Sequence, residues 1–278
     1  MKQAYVLPNI ITAFGLFCGL FVIFKVNMLW PGSSAYELLL SSAVLLLLAA
    51  LADVLDGAIA RAIRGESEFG LMFDSLADTV SFGVAPSVLL LKSLFLEQGT
   101  TLAFFAYIAA MLYSICGILR LVRYNVKAGQ VKGDELAKAA YNKNFTGLPI
   151  PAAASCAVSL NLFLNSPLML SWYPMDLFLK TIILGSSTIV IGFLMISKCK
   201  FLSVKALRFK IDSFYLVFLT VIVAIFMLYG IIHHFALVFV VVAWGYLIMG
   251  CILTLIRLIA GKKSKTLEGF DPHVDEQE

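Results

Sequence analysis

Charged residues are scarce in this chain. They make up 14% of its 278 residues, whereas apolar residues make up 61%. An average soluble domain contains about 25% charged and about 45–50% apolar residues. The composition therefore excludes an ordinary soluble domain and predicts an all-α, polytopic membrane protein built as a bundle of transmembrane helices.

Closely spaced cysteine pairs and a typical leader-cleavage site are also lacking. The five cysteines are scattered and form no C-x-x-C pair, which argues against both a disulfide framework and a zinc site. No small-residue cleavage site follows the apolar stretch from Pro8 to about Phe24, so a first membrane helix is favoured over a signal peptide. The sequence contains no internal repeat and no separate soluble domain.

Eight apolar stretches are long enough to cross a bilayer, which takes about 20 residues of helix. They lie at residues 8–27, 35–55, 82–97, 100–120, 149–165, 176–196, 213–232 and 235–258. Most of the 21 basic residues lie before the first stretch or at every second connection, whereas Lys25, Lys92 and Lys180 lie on the opposite side. Because basic residues concentrate on the cytoplasmic side, both termini are predicted to be cytoplasmic. Residues 1–260 are then expected to form one transmembrane domain, and residues 261–278 a disordered cytoplasmic tail.

Acidic residues are few as well, yet four of them fall close together. Asp53 and Asp56 are three residues apart, and Asp74 and Asp78 are four apart, so each pair projects from one face of a helix. Two such helices side by side would bring four carboxylates together, and these repel one another unless cations lie between them. Ligation by oxygen alone selects hard divalent ions such as Mg²⁺ or Mn²⁺. The pattern therefore predicts a metal site.

The length of the second predicted helix sets the depth of this site. From Ala35 to Arg64 the chain would form about 45 Å of helix, whereas the hydrocarbon core of a bilayer is about 30 Å thick. The second half of the helix is therefore expected to leave the core and to hold Asp53 to Arg61 among the cytoplasmic headgroups. At that depth a lipid phosphate and a water-soluble reactant can meet.

The spacing of this stretch resembles the signature of a known family. Asp-x2-Asp-Gly-x2-Ala-Arg-x8-Gly-x3-Asp-x3-Asp, from Asp53 to Asp78, resembles that of the CDP-alcohol phosphatidyltransferases, and every position is filled. The segments from Asp74 to Pro86 and from Asn144 to Ala154 resemble the phosphatidylserine synthase branch. The resemblance implies transfer of a phosphatidyl group from CDP-diacylglycerol to L-serine, with release of CMP. It further implies two divalent cations, Mg²⁺ or Mn²⁺, a homodimer, and a site on the cytoplasmic face of the cell membrane, with no nucleic-acid partner.

The same resemblance implies roles for individual residues. The expected metal ligands are the four aspartates, Asp53, Asp56, Asp74 and Asp78. The expected contacts of the CDP-lipid are Asp56, Gly57, Ala60, Arg61 and Gly70. Small residues allow a nucleotide to approach the backbone closely, although they equally favour tight packing of membrane helices. Asp78 is also expected to act as the general base that takes the proton of the acceptor hydroxyl.

The acceptor site is expected to use four residues, which are Ser81, Arg120, Arg123 and Asn144. Ser81 follows Asp78 by about one helical turn and would border the acceptor pocket. An arginine suits the carboxylate of free serine because its guanidinium donates two parallel hydrogen bonds. Arg120 and Arg123 equally suit a second role, the anchoring of a helix end on the positively charged side of the membrane.

Other functions remain open at this stage. The same chemistry could use glycerol 3-phosphate, inositol phosphate or choline as acceptor, or an archaeal lipid as donor. An ion-coupled transporter would also contain intramembrane aspartates, but transport sites normally lie at the bilayer midplane, often in two related halves. The polar connection from Tyr124 to Lys143 suits either a solvated loop or a partial lid over the site.

Overall fold

The computed structural model describes residues 6–28, 35–63, 67–130, 147–197 and 213–260. Within these ranges all regular structure is helical, and no strand occurs. The elements are α1 (Val6–Asn27), α2 (Ala35–Ala62), α3 (Glu68–Asp78), a π-helical segment (Thr79–Val84), α4 (Ala85–Ser93), α5 (Thr101–Gln130), α6 (Ile150–Leu164), α7 (Pro167–Trp172), α8 (Leu177–Ile196) and α9 (Ser213–Ala260). The all-α prediction is confirmed.

Six helical stretches are long and apolar enough to cross a membrane, counted over the described residues. They are Val6–Asn27, Ala35–Ala62, Glu68–Ser93, Thr101–Val126, Leu177–Ile196 and Gly230–Ile256. Helices suit this setting because a bilayer offers no water to satisfy exposed backbone groups. The chain is therefore a polytopic integral membrane protein. A count of eight spans and cytoplasmic termini stay predictions.

Three of the predicted spans lie in helices of unexpected length. The stretch predicted at 149–165 forms the shorter helix α6, of 15 residues. The last two predicted spans both fall within α9, which has non-helical backbone angles at His234, with φ −138° and ψ 50°. The kink lies between the predicted spans, so two helices meet there.

The chain divides into two compact units. The first contains Met1–Val122 and Pro149–Ile196, and the second contains Arg123–Leu148 and Ser197–Glu278. The four aspartates of the signature all belong to the first unit. Its apolar core includes Leu90 and Leu94 at the end of α4, packed with small and branched side chains of neighbouring helices.

Helix α5 differs from the sequence-based expectation. The polar connection was predicted to begin at Tyr124, but α5 continues as a helix to Gln130. Polar residues end a membrane-spanning segment without ending the helix, because the backbone hydrogen bonds remain satisfied in water as well as in lipid. The rest of the predicted connection, residues 131–143, lies outside the described residues.

Helix α3 begins at a cap and ends in a π-helical segment. The Ser67 side chain accepts a hydrogen bond from the Gly70 backbone N–H at 3.0 Å, which satisfies one of the free donors at the start of α3. At the other end, an α-helix would require residue 86 to donate to the Phe82 carbonyl. Residue 86 is proline, which has no N–H and whose ring collides with that carbonyl. The backbone widens into a π-helical segment just ahead of Pro86.

Two side chains of α5 donate hydrogen bonds to this segment. The Tyr113 hydroxyl donates to the Phe82 carbonyl at 3.0 Å, and the Ser114 hydroxyl donates to the Gly83 carbonyl at 2.9 Å. Tyr113 is fully buried. Because unsatisfied carbonyls are costly inside a membrane protein, these two bonds stabilise the π-helical segment that directly follows Asp78.

Candidate metal and substrate site

Helices α2 and α3 bring three of the predicted metal ligands together. Asp53 and Asp56 project from α2, and Asp74 projects from α3. One carboxylate oxygen from each lies within 4.8 Å of the other two. Asp56 is buried, with 5% of its surface exposed, and the other two are half-buried. Like charges at this spacing repel strongly, and an all-oxygen donor set fits a hard divalent cation.

Asp78 completes the predicted set from one turn further along α3. It lies outside the group of three, but all four aspartates line one open cleft that contains about 200 Å³ of empty space. The other lining residues are Thr12, Gly15, Ala49, Ala77, Ser81 and Phe82. The cleft therefore combines converging carboxylates, which suit a cation, with walls that are mostly small or apolar.

Two arginines lie near the aspartates. Arg61 is close enough to Asp53 and Asp56 for their charges to interact, and Arg120 is close enough to Asp78. Arg61 also lies against Gly57, since a Cβ atom at Gly57 would be 3.3 Å from its Nη1. The positive charge beside the carboxylates would attract the phosphates of a nucleotide.

The small residues of the signature are only partly explained by packing. A Cβ atom at Gly70 would lie 3.0 Å from Ser67 Oγ and 3.2 Å from Asn9 Oδ1, so glycine accommodates the cap and α1 there. At Gly57 the one crowding group is the end of the flexible Arg61 side chain. Ala60, half-buried on the same helix, lies one turn beyond Asp56. Packing among the described residues therefore does not by itself require glycine at position 57.

Of the predicted acceptor residues that the structure describes, only Ser81 lines the cleft. Ser81 lines the cleft but is 2% exposed, and its hydroxyl donates to the Gly15 carbonyl at 3.2 Å. Arg120 is buried on α5, with 7% exposed. Arg123 is half-buried and belongs to the second unit. Asn144 lies outside the described residues.

The segment at residues 7–12, on α1, loosely resembles the phosphatidylserine synthase branch in sequence, but sequence reasoning assigned no role to two of its residues that reach this site. Thr12 donates a hydrogen bond from Oγ1 to Asp56 Oδ2 at 2.5 Å, and Asn9 lies beside Gly70. Neither is charged, so a search for acids and bases passes over them. For Thr12 the sequence does offer a signal. Thr12, Gly15 and Gly19 follow one another at intervals of three and four residues, which puts the Thr12 hydroxyl on the close-packing face of α1.

Several known proteins with similar sequences share the name CDP-diacylglycerol--serine O-phosphatidyltransferase. The protein of Helicobacter pylori is 30% identical over 246 residues, covering 84% of this chain and 92% of the relative. That of Bacillus subtilis is 31% identical over 195 residues, 70% of this chain and 89% of the relative. That of Methanocaldococcus jannaschii is 37% identical over 176 residues, 63% of this chain and 71% of the relative.

The family comparison covers the part of the chain that contains the site. Residues 5–191 match the CDP-alcohol phosphatidyltransferase family. This range includes α1, both helices that carry the aspartates and most of α8. The eight-residue signature, the convergence of its aspartates and the match over residues 5–191 agree: this chain belongs to the CDP-alcohol phosphatidyltransferase family.

Proposed function

We propose that this protein transfers the phosphatidyl group of CDP-diacylglycerol to the hydroxyl of L-serine, giving phosphatidylserine and CMP. The observation that carries the proposal is the cluster of Asp53, Asp56 and Asp74, whose carboxylate oxygens lie within 4.8 Å of one another. The choice of serine rests on the names of the relatives. The alignment with this chain covers up to 92% of a relative's length. The enzyme would act in phospholipid biosynthesis.

The proposed cofactor is a pair of divalent cations, Mg²⁺ or Mn²⁺. Asp53, Asp56 and Asp74 would hold them, with Asp78 shared or nearby. Such ions neutralise the charge of a diphosphate and polarise its phosphoryl groups. The signature glycines and Ala60 would let the CDP moiety lie against α2 and α3, and Arg61 would pair with a phosphate.

The proposed reaction is a displacement at the phosphorus that bears the diacylglycerol. The serine hydroxyl oxygen forms a bond to this phosphorus, and the bond from the phosphorus to the bridging oxygen breaks. The bridging oxygen and its electron pair leave with CMP. Asp78 takes the hydroxyl proton on its carboxylate and passes it to water. Arg120 and Ser81 are the proposed neighbours of the serine, together with Arg123 and Asn144.

The proposal includes the side of the membrane on which the cleft opens. The cleft would open to the cytoplasmic face of the cell membrane, because both serine and CMP are water-soluble and the donor is a lipid. Basic residues concentrated on one side of the predicted spans support this orientation. A homodimer, which the family resemblance implies, forms part of the proposal.

A comparison of acceptors tests the function. Purified protein in lipid nanodiscs would receive CDP-diacylglycerol and Mn²⁺ or Mg²⁺, with L-serine, glycerol 3-phosphate, inositol phosphate, choline or no acceptor. Among the acceptors, we expect only L-serine to give rapid CMP release, together with formation of phosphatidylserine. A chelator of divalent cations should abolish CMP release and phosphatidylserine formation. Faster CMP release with another acceptor would replace serine in the proposal. Equal release in all arms, including the one without acceptor, would contradict it.

A further inference from the structure

We propose that Thr12, on α1, is a positioning residue that orients the Asp56 carboxylate for divalent-cation binding. The inference rests on the metal site of the proposed function and adds a residue outside the family signature. Thr12 lies on α1, whereas the three clustered aspartates lie on α2 and α3, and it contributes no charge. Its role follows from one buried contact and from the packing that places it.

The contact between Thr12 and Asp56 has the geometry of a strong hydrogen bond. Oγ1 of Thr12 lies 2.5 Å from Oδ2 of Asp56, and each residue is 5% exposed. A hydroxyl that donates to an ionised carboxylate typically lies about 2.5–2.7 Å from it. Thr12 Oγ1 also lies 3.1 Å from the Pro8 carbonyl of its own helix. A hydroxyl has one proton, and the shorter contact to a carboxylate is the stronger one.

This bond restricts the Asp56 side chain. A carboxylate that holds a hydrogen bond on Oδ2 does not rotate freely, so the other oxygen keeps a defined direction. Asp56 belongs to the group whose oxygens lie within 4.8 Å of one another, so that direction decides whether three oxygens meet at one cation. Partners that orient a ligating carboxylate typically change metal affinity about 10–100-fold when they are removed.

The packing of α1 places the Thr12 hydroxyl. Gly15 and Gly19 follow Thr12 on the same helix face. The Gly15 carbonyl accepts a hydrogen bond from Ser81 at 3.2 Å, and a Cβ atom at Gly19 would lie 2.7 Å from Ser81 Cα. Real Cβ atoms do not approach that closely, so α1 contacts the π-helical segment through glycine. Because this contact holds α1 in register, the hydroxyl one turn earlier meets Asp56.

The chain offers a matched set of variants. Thr12→Val removes the hydroxyl and keeps the shape, whereas Thr12→Ser keeps the hydroxyl and removes the methyl group. Thr188→Val is the control, since Thr188 is 4% exposed on α8 and its hydroxyl donates to the Leu184 carbonyl of its own helix at 2.7 Å. Thr188 does not line the cleft.

The measured quantity is the Mn²⁺ affinity of the full-length protein without substrate. Electron paramagnetic resonance monitors Mn²⁺ binding at a temperature well below the unfolding temperature of each variant. We expect Thr12→Val to weaken Mn²⁺ binding about 10–100-fold. Thr12→Ser and Thr188→Val should bind within about threefold of the wild type. CMP release with serine, titrated with Mn²⁺, should require correspondingly more metal in Thr12→Val.

Three results with the variants would overturn the inference. These are unchanged Mn²⁺ affinity in Thr12→Val, an equal loss in Thr12→Ser, or an equal loss in Thr188→Val, which would indicate packing rather than orientation. Wild-type protein that binds no Mn²⁺ would overturn it as well. Failure of the proposed function is a separate result: Mn²⁺ binds, Thr12→Val binds it more weakly, and the wild type releases no CMP with serine.

Discussion

Two buried polar clusters lie along the helical stretch Glu68–Ser93, and they are built differently. Near its start, Asp74 and Asp78 meet the aspartates of α2. About 20 Å further along, Ser93 donates to Asn161 Oδ1 at 3.0 Å. Asn165 donates to the same oxygen at 3.1 Å, and Lys180 donates to Asn165 Oδ1 at 3.1 Å.

The difference between these clusters separates a structural role from a functional one. In the asparagine cluster, neutral donors pair with neutral acceptors, and Lys180 adds a single positive charge at its edge. In the aspartate cluster, several groups of the same charge converge, and the repulsion persists until a cation binds. Buried polarity with a single charge therefore does not distinguish a site from a structural contact, whereas the convergence of several like charges points to one. Substitutions in the two clusters should therefore differ in their effects on activity and on stability.

The largest effect is expected from Asp74→Asn, which removes one charge from the cluster of three. Without the metal, the transition state would lose several kcal/mol of stabilisation. This loss corresponds to a fall in the rate of CMP release of about 10³-fold or more. Mn²⁺ binding should be lost with it. Metal-free protein should unfold at an equal or higher temperature, because a repulsion is relieved. A marked fall in that temperature would mean that the aspartates stabilise the fold.

Asp78→Asn separates binding from chemistry within the same cluster. If Asp78 is the general base, turnover should fall roughly 10²–10⁴-fold, the usual contribution of such a group. Binding of CDP-diacylglycerol should remain close to that of the wild type. The measurements are CMP release and binding of the donor lipid without serine. Unimpaired turnover would refute the role of Asp78.

Asn161→Leu tests the asparagine cluster. It removes the oxygen that accepts from Ser93 and Asn165, and hydrogen bonds between membrane helices contribute about 0.6–1.7 kcal/mol each. We expect a loss of about 1–2 kcal/mol in unfolding free energy, with CMP release per folded molecule unchanged. Asn27→Leu is the control, since its exposed side chain donates to the Ile23 carbonyl of its own helix. Loss of activity without loss of stability would give this cluster a functional role.

The smallest effect is expected from Tyr113→Phe, which removes the donor to the Phe82 carbonyl and keeps the ring. One such bond contributes about 0.6 kcal/mol in a membrane protein. Because the π-helical segment follows Asp78 directly, CMP release should fall by a small factor alongside the unfolding temperature. Tyr107→Phe, at a 43% exposed position of the same helix, is the control. Equal effects of the two changes would contradict a specific role for Tyr113.

The sequence by itself determined the class of protein and its family. Apolar composition and the length of apolar stretches dictate membrane helices, since a bilayer admits few other structures. Spacings of three and four put each aspartate pair on one helix face, and this is local geometry that holds in any fold. The eight-residue signature identified the family correctly for the same reason.

Only the tertiary structure decided which neutral side chains serve the site. The bond from Thr12 to Asp56, the donors of α5 to the π-helical segment, and the partner of Ser81 all depend on how helices are rotated and how deeply each lies against the next. Hydrophobic periodicity says little about rotation here, because lipid and protein interior are both apolar and the two faces of a membrane helix look alike. Contacts between helices therefore required the folded arrangement.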